Sequence, residues 1–209
     1  MPNPTNHLII FAKAPRLGRV KTRLARDIGT VPAWTFYRRC LTSIIRRMAE
    51  DSRWQTWLAL TPDGAPGPRD LPENVSLLYQ GGGDLGTRMN NAMVDLPPGP
   101  TIIIGTDIPD IAPANIADGF RTLGHADTVF GPAHDGGYWL VGCRRRPRFP
   151  DLFSDVRWSS EHTLNDTLKN ATKQGLSTRF LDRLEDVDDI GSYSRYQKKT
   201  GRDKRALST

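Results

Sequence analysis

The order of elements in this 209-residue chain predicts an α/β fold built on a mixed, mainly parallel sheet covered by helices on both faces. Three observations carry that expectation. Short apolar runs rich in β-branched residues, at 8–12 and 101–104, are too brief for helices and read as buried strands. Segments with helical periodicity lie between them, clearest at 32–50. Stretches rich in Gly, Pro and Asp punctuate the alternation, yet none is long enough to divide the chain, and no internal repeat appears. The expected organisation is one domain over 1–193 followed by a basic tail, 194–209.

The elements follow in order. A buried strand occupies 8–12. A helix is predicted over 32–50, where Phe36, Cys40, Ile44 and Met48 recur every fourth residue with Leu41 and Ile45 beside them, while Arg38, Arg39, Arg46 and Arg47 fall elsewhere. Pro32 suits its first turn. Residues 54–60 read as a strand, 61–72 as a surface loop, and 75–79 as a second short strand. A glycine run then leads into a helix over 85–95, stopped by Pro97, Pro98 and Pro100. Strand 101–104 ends in Gly105-Thr106-Asp107. Pro113 opens a helix to Leu123. Strands at 128–130 and 138–141 flank a polar turn at 134–137. Ser159 and Ser160 are N-cap candidates for a helix to Gln174, and 177–181 is the last expected strand, before the acidic stretch 185–189.

Composition narrows the function classes. Hydrophobic residues make up 37% of the chain, and no apolar run approaches the length of a membrane span. The run at 8–12 is too short for a signal peptide and Lys13 ends it, so a cytoplasmic location without a membrane partner is expected. Cys40 and Cys143 form no C-x-x-C pair and are too few for a zinc site; both are expected to be reduced, with Cys40 in the core. The net charge is +6, but +5 of it lies in residues 195–209, leaving +1 for the rest. A second cluster, Arg144, Arg145, Arg146 and Arg148, has no interleaved aromatic residues on which bases could stack. Nucleic acid is therefore not the expected partner.

Parallel sheets bind ligands at the carboxyl ends of their strands, which singles out the loops after residues 12 and 104 and the turn around Asp135. The first loop, FAKAPRLGRVKTR, offers Lys13, Arg16, Arg19, Lys21 and Arg23 around Gly18, which permits a tight turn or close approach to a phosphate. It leads into a short helix whose free N–H groups favour anions. It is not a Walker A loop, because Pro15 and Val20 stand where that loop needs glycine, and the dinucleotide fingerprint is absent. The second, IIIGTDIP, places Asp107 just past an apolar strand, a position suited to Mg²⁺, which takes one or two carboxylates plus substrate phosphates. The alternative is an aspartate fixing its own turn. The third, GPAHDGGY, is first of all a hairpin turn, although Asp135 could face a ligand; His134 has no partner at metal-ligand spacing. The fourth, DVDD at 186–189, is a solvated acidic loop or, if folded back over the sheet, a source of a second metal ligand.

Taken together, FAKAPRLGRVKTRLA, DLGTRM, GTDIPDI, GPAHDGGYWLVG, WSS and DVDD resemble the selenodomain-associated, glycosyltransferase-like transferase family of the nucleotide-diphospho-sugar transferase superfamily. Its relatives include the molybdenum-cofactor nucleotidyltransferases and phospholactate guanylyltransferases. The resemblance spans residues 8–190. It implies a GT-A-like three-layer sandwich. It further implies that Lys13, Arg16, Gly18, Lys21 and Arg23 cradle nucleotide phosphates, with Gly86 and Arg88 near the base or ribose. Asp107 would hold Mg²⁺ or Mn²⁺, Asp188 would supply a second ligand, and Asp135, Gly136 and Gly137 would form the acceptor-side loop. The chain departs from the family after the acidic motif, where it continues Asp189-Ile-Gly-Ser. The expected function is a metal-dependent transferase working on a nucleotide or nucleotide sugar and a small acceptor, with Asp107 and Asp135 as its catalytic residues. Glycosyl transfer leads; guanylyl or cytidylyl transfer is the alternative, and a non-catalytic nucleotide-binding module is the alternative of another class.

Overall fold

The computed structural model describes residues 5–145 and 148–206, with side chains through Gly201. Arg146 of the arginine cluster lies outside the described residues, as do the side chains of Arg202, Asp203, Lys204 and Arg205 from the basic tail.

Seven strands form one sheet: β1 (His7–Lys13), β2 (Gln55–Thr61), β3 (Val75–Tyr79), β4 (Thr101–Ile104), β5 (Thr128–Pro132), β6 (Tyr138–Cys143) and β7 (Thr178–Phe180), in the order β3-β2-β1-β4-β6-β5-β7. Pairs β3/β2, β2/β1, β1/β4 and β5/β7 are parallel, while β6 runs antiparallel to both β4 and β5. This is the mixed, mainly parallel sheet the sequence predicts. The polar turn expected at 134–137 lies in the hairpin connection between Pro132 of β5 and Tyr138 of β6.

The helices are α1 (Thr22–Ile28), α2 (Thr30–Ala49), α3 (Leu85–Val94), α4 (Pro113–Leu123), α5 (Thr163–Lys173) and α6 (Ile190–Ala206). Strand residues alternate between two cores. Leu8, Ile10, Ile102 and Ile104 join Leu41, Ile44, Ile45 and Met48 of α2 and Ile116, Phe120 and Leu123 of α4. Ile9, Ile103 and Val141 join Met89, Ala92 and Met93 of α3 and Ala171 of α5. The helices thus make the two outer layers. Cys40 and Cys143 are free thiols, both buried, and burial pushes each up to about 12. Among the described residues no helix is long and apolar enough to cross a membrane.

Two boundaries differ from expectation by more than two residues. The helix assigned to start at Ser159 or Ser160 begins at Thr163, with His162 at its N-cap. Ser159 has left-handed backbone (φ 56°), and Ser160 Oγ donates to Arg157 O at 2.7 Å, holding the loop before the helix. Residues 194–206, expected as a basic tail, continue helix α6. Phe36 of α2 meets the rings of Tyr193 and Tyr196 with centroids 5.1 and 5.7 Å away, and Lys199 pairs with Asp110 at 2.6 Å. Asp189 caps α6 by accepting from Ser192 N at 2.8 Å, which holds its carboxyl below the usual range.

Candidate active site

The parallel neighbours β1 and β4 end side by side, so the loops that follow them share one edge of the sheet. Tyr37, from α2, fixes the first loop at its root: its hydroxyl donates to Lys13 O at 2.8 Å and accepts from Lys13 N at 3.0 Å. Further along, Trp34 Nε1 donates to Pro15 O at 2.6 Å. The loop ends at Lys21, whose backbone is left-handed (φ 47°, ψ 44°) immediately before α1. After β4, Gly105 N donates to Trp139 O at 3.3 Å, and the chain turns through Thr106 to Asp107. The segment after β7 returns across the hairpin: Leu181 N donates to Phe130 O, Trp139 Nε1 to Asp182 O, and Val187 N to Asp107 O at 2.9 Å. That last bond sets the acidic stretch against the end of β4.

Lys21 Nζ lies 2.5 Å from Asp107 Oδ1 and 2.6 Å from Asp188 Oδ1. The lysine side chain is only 3% exposed, whereas those of Asp107 and Asp188 are 51% and 41% exposed. Burial alone would lower the Lys21 ammonium, but the two carboxylates outweigh it and raise it above the ordinary lysine value. Asp186 lies on the same wall; burial first, then the neighbouring charge of Asp188, pushes it up to about 6. Both Asp107 and Asp188 thus reach one cation from a half-exposed position, a donor set that fits Mg²⁺ or Mn²⁺ completed by phosphate oxygens. Among the described residues no three His, Cys, Asp or Glu side chains gather in metal-binding geometry, so the protein's share would be this pair.

These groups border a cleft of about 710 Å³. Lys13, Arg19, Lys21, Arg23 and Arg88 line it with Asp107, Asp135, Gly137, Asp186 and Asp188. The expected residues Arg16, Gly18, Gly86 and Gly136 do not line it. Gly18 uses its left-handed φ of 72° to turn the loop past Thr30. Gly86 is buried beneath Trp158: a Cβ there would lie 2.6 Å from Trp158 Cζ2 and 2.9 Å from Phe153 Cβ. Gly136 packs its bare Cα on the backbone of Glu161. Asp135 Oδ1 accepts from Gly137 N at 2.9 Å, fixing the hairpin while its carboxylate faces the cleft.

The sequence reading gave no role to Gln80. Its side chain, 1% exposed, donates from Nε2 to Ala12 O at 3.1 Å and Ala59 O at 2.8 Å. Its Oε1 accepts from Arg88 Nη1 at 2.9 Å, and Asp84 O accepts from Arg88 Nε at 3.3 Å. Gln80 thus aims Arg88 along the cleft wall. A lone polar residue between a strand and a glycine run carries no periodic sign of this, because the carbonyls it bridges belong to other strands.

A three-layer fold with β6 reversed in an otherwise parallel centre, and a cationic loop facing a strand-end aspartate, define a protein of the nucleotide-diphospho-sugar transferase, GT-A-like class of folds. Residues 44–160 match the family described as "Uncharacterized protein conserved in bacteria (DUF2064)", and the chain belongs to that family. It is similar, at 30% identity and a TM-score of 0.79, to a protein from Desulfovibrio desulfuricans G20 provisionally assigned as a nucleotide-diphospho-sugar transferase, covering 90% of this chain and 84% of that one. Two further structures share the fold. One is 4-diphosphocytidyl-2C-methyl-D-erythritol synthase from Anaerococcus prevotii DSM 20548, at 10% identity, TM-score 0.61 and coverage of 93% and 96%. The other is Rv0371c from Mycobacterium tuberculosis H37Rv in complex with manganese, at 19% identity, TM-score 0.51 and coverage of 92% and 97%. No match is found among curated proteins.

Proposed function

We propose that the cleft is the active site of a divalent-metal-dependent transferase that uses a nucleotide sugar, acting as a glycosyltransferase, and that the chain falls in the selenodomain-associated branch of its relatives. The observation that carries this reading is the convergence of Asp107 and Asp188 on one cation position at the rim of a cleft lined by Lys13, Arg19, Arg23 and Arg88. Asp107 and Asp188 would hold Mg²⁺ or Mn²⁺, which when bound stabilises negative charge developing on the leaving phosphates. Lys13, Arg19 and Arg23 orient the phosphates and share that charge. Arg88, braced by Gln80, faces the nucleoside end. Asp135, across the cleft on the hairpin, binds the acceptor hydroxyl and takes its proton. The solved relative at 30% identity, itself provisionally assigned to nucleotide-diphospho-sugar transfer, supports this reading. The cytidyl-compound synthase sharing the fold favours nucleotidyl transfer as a second reading, in which the acceptor attacks the α-phosphate and pyrophosphate leaves.

A thermal-shift panel of nucleoside triphosphates and nucleotide sugars, each with Mg²⁺, Mn²⁺ or EDTA, tests the assignment, because a ligand selective for the native state raises its apparent stability. The product of turnover with the stabilising ligand then separates the two chemistries: free nucleoside diphosphate or pyrophosphate. In Asp107→Asn the metal-dependent part of the shift should vanish and turnover should fall by at least about a hundredfold, the scale of losing one electrostatic stabiliser. A metal-dependent shift that survives in Asp107→Asn would move the metal elsewhere. No shift with any ligand would point to a protein that is not a nucleotide enzyme.

A further inference from the structure

Lys21 occupies the cation position of the site with its own ammonium. We propose that the site takes up its divalent ion only as a chelate with a nucleoside phosphate, because Lys21 must first be drawn off Asp107 and Asp188 by phosphate. This rests on the metal-dependent reading above and adds the form in which the ligand enters.

The argument is electrostatic. Asp107 and Asp188 already share one ammonium, at 2.5 and 2.6 Å. A bare divalent ion arriving between them must displace that ammonium, since two cations do not share the position. The displaced group is on a side chain only 3% exposed, so it would lose both of these ion-pair partners while still buried. Breaking a buried pair in this way is strongly unfavourable. An incoming ligand with its own negative charge removes the difficulty. Lys21 stands between Arg19 and Arg23, which line the same cleft, so phosphates drawn to those arginines arrive beside it. The ammonium then exchanges carboxylates for phosphate oxygens, and the metal on those phosphates takes over Asp107 and Asp188. The ammonium and both carboxylates each have a partner of opposite charge before and after the exchange. Reciprocity follows: phosphate raises the affinity for metal by the same factor as metal raises the affinity for phosphate. Lys21 is therefore a positioning residue that excludes free metal, in addition to any phosphate contact it makes.

Mn²⁺ binding, read by the paramagnetic resonance of the free ion and by water proton relaxation, tests this without turnover. The parent should bind Mn²⁺ alone weakly and bind it at least about tenfold more tightly with one of ATP, CTP, GTP or UTP, within the usual range of coupling between sites. Lys21→Met and Lys21→Gln, checked for folding by circular dichroism, should bind Mn²⁺ alone at least about tenfold more tightly than the parent, and nucleotide should add less. Lys21→Arg, which keeps the cation, should resemble the parent. Equal Mn²⁺ affinity in parent and folded Lys21→Met overturns the proposal while leaving the metal site standing. If the variants do not fold, the parent decides: stoichiometric uptake of Mn²⁺ without nucleotide overturns the exchange, and uptake only with nucleotide upholds it. Absence of Mn²⁺ binding under every condition removes the metal-dependent reading and this inference together.

Discussion

Replacing Gly86 with alanine would add a methyl group where Trp158 and Phe153 already close over the first turn of α3. The new Cβ would stand 2.6 Å from Trp158 Cζ2, and 2.9 Å from both the Cβ and the backbone oxygen of Phe153. The ring can swing; the carbonyl moves only with its loop. Overpacking of this kind costs about 1–3 kcal/mol, against which alanine's better helix propensity returns about 0.8–1 kcal/mol. The expected net loss is up to about 2 kcal/mol, seen as a fall in Tm of up to about 8 °C for a chain of this size. Trp158 lines the cleft, so its displacement should also weaken ligand binding without removing any residue that touches ligand. A double-mutant cycle with Trp158→Leu, followed by thermal unfolding, isolates the contact: alanine at 86 should cost at least about 0.5 kcal/mol less in the leucine background. An equal cost in both backgrounds would refute the packing account. Unchanged stability with lost nucleotide binding would return Gly86 to the ligand-contact role its motif suggests.

Gln80→Leu should cost about 1–3 kcal/mol in urea unfolding by leaving the carbonyls of Ala12 and Ala59 without their donor; it should also weaken nucleotide binding, and Arg88→Ala made in that background should add less than it does alone. Arg157 binds both carboxylate oxygens of Asp166, at 2.7 and 2.9 Å, and these bonds hold the Asp166 carboxyl well below its ordinary value. A depressed folded-state value means the pair's contribution is complete above the unfolded carboxylate value of about 3.9 and is lost as pH falls through the lower folded value. Arg157→Gln should therefore be less stable than the parent at neutral pH, with a gap that closes below about pH 4; a gap independent of pH would assign the loss to packing.

Most of the sheet is legible in the sequence because its central strands are continuous apolar runs, such as Ile102-Ile103-Ile104, bounded by glycine or proline. Helix α2 announces itself by its four-residue apolar spacing. Helix α6 does not, because among its described side chains Tyr193 and Tyr196 are only half-buried and stand among lysines and arginines, and what they pack on, Phe36, lies far away in the chain. Ser159 and Ser160 have the residue types of a cap, yet Ser159 takes a left-handed turn, Ser160 Oγ bonds back to Arg157 O, and α5 begins only at Thr163. Asp107 stands out by its place after a buried strand. What Lys21 does could not be read from its neighbours, because nothing local separates a solvated lysine from one buried between two carboxylates. The same holds for Asp186, whose raised value depends on burial and on Asp188.

Lys21 and Asp188 are 167 residues apart in the chain, and Asp107 stands between them. During synthesis the cationic loop and the first carboxylate emerge long before the second, so a nascent chain holds an incomplete charge trap whatever the state of its core. A fragment ending before Asp188 would contain all seven strands of the sheet and still lack one of the two carboxylates that hold Lys21. On the reading proposed above, competence for binding would be tied to completion of the segment after β7.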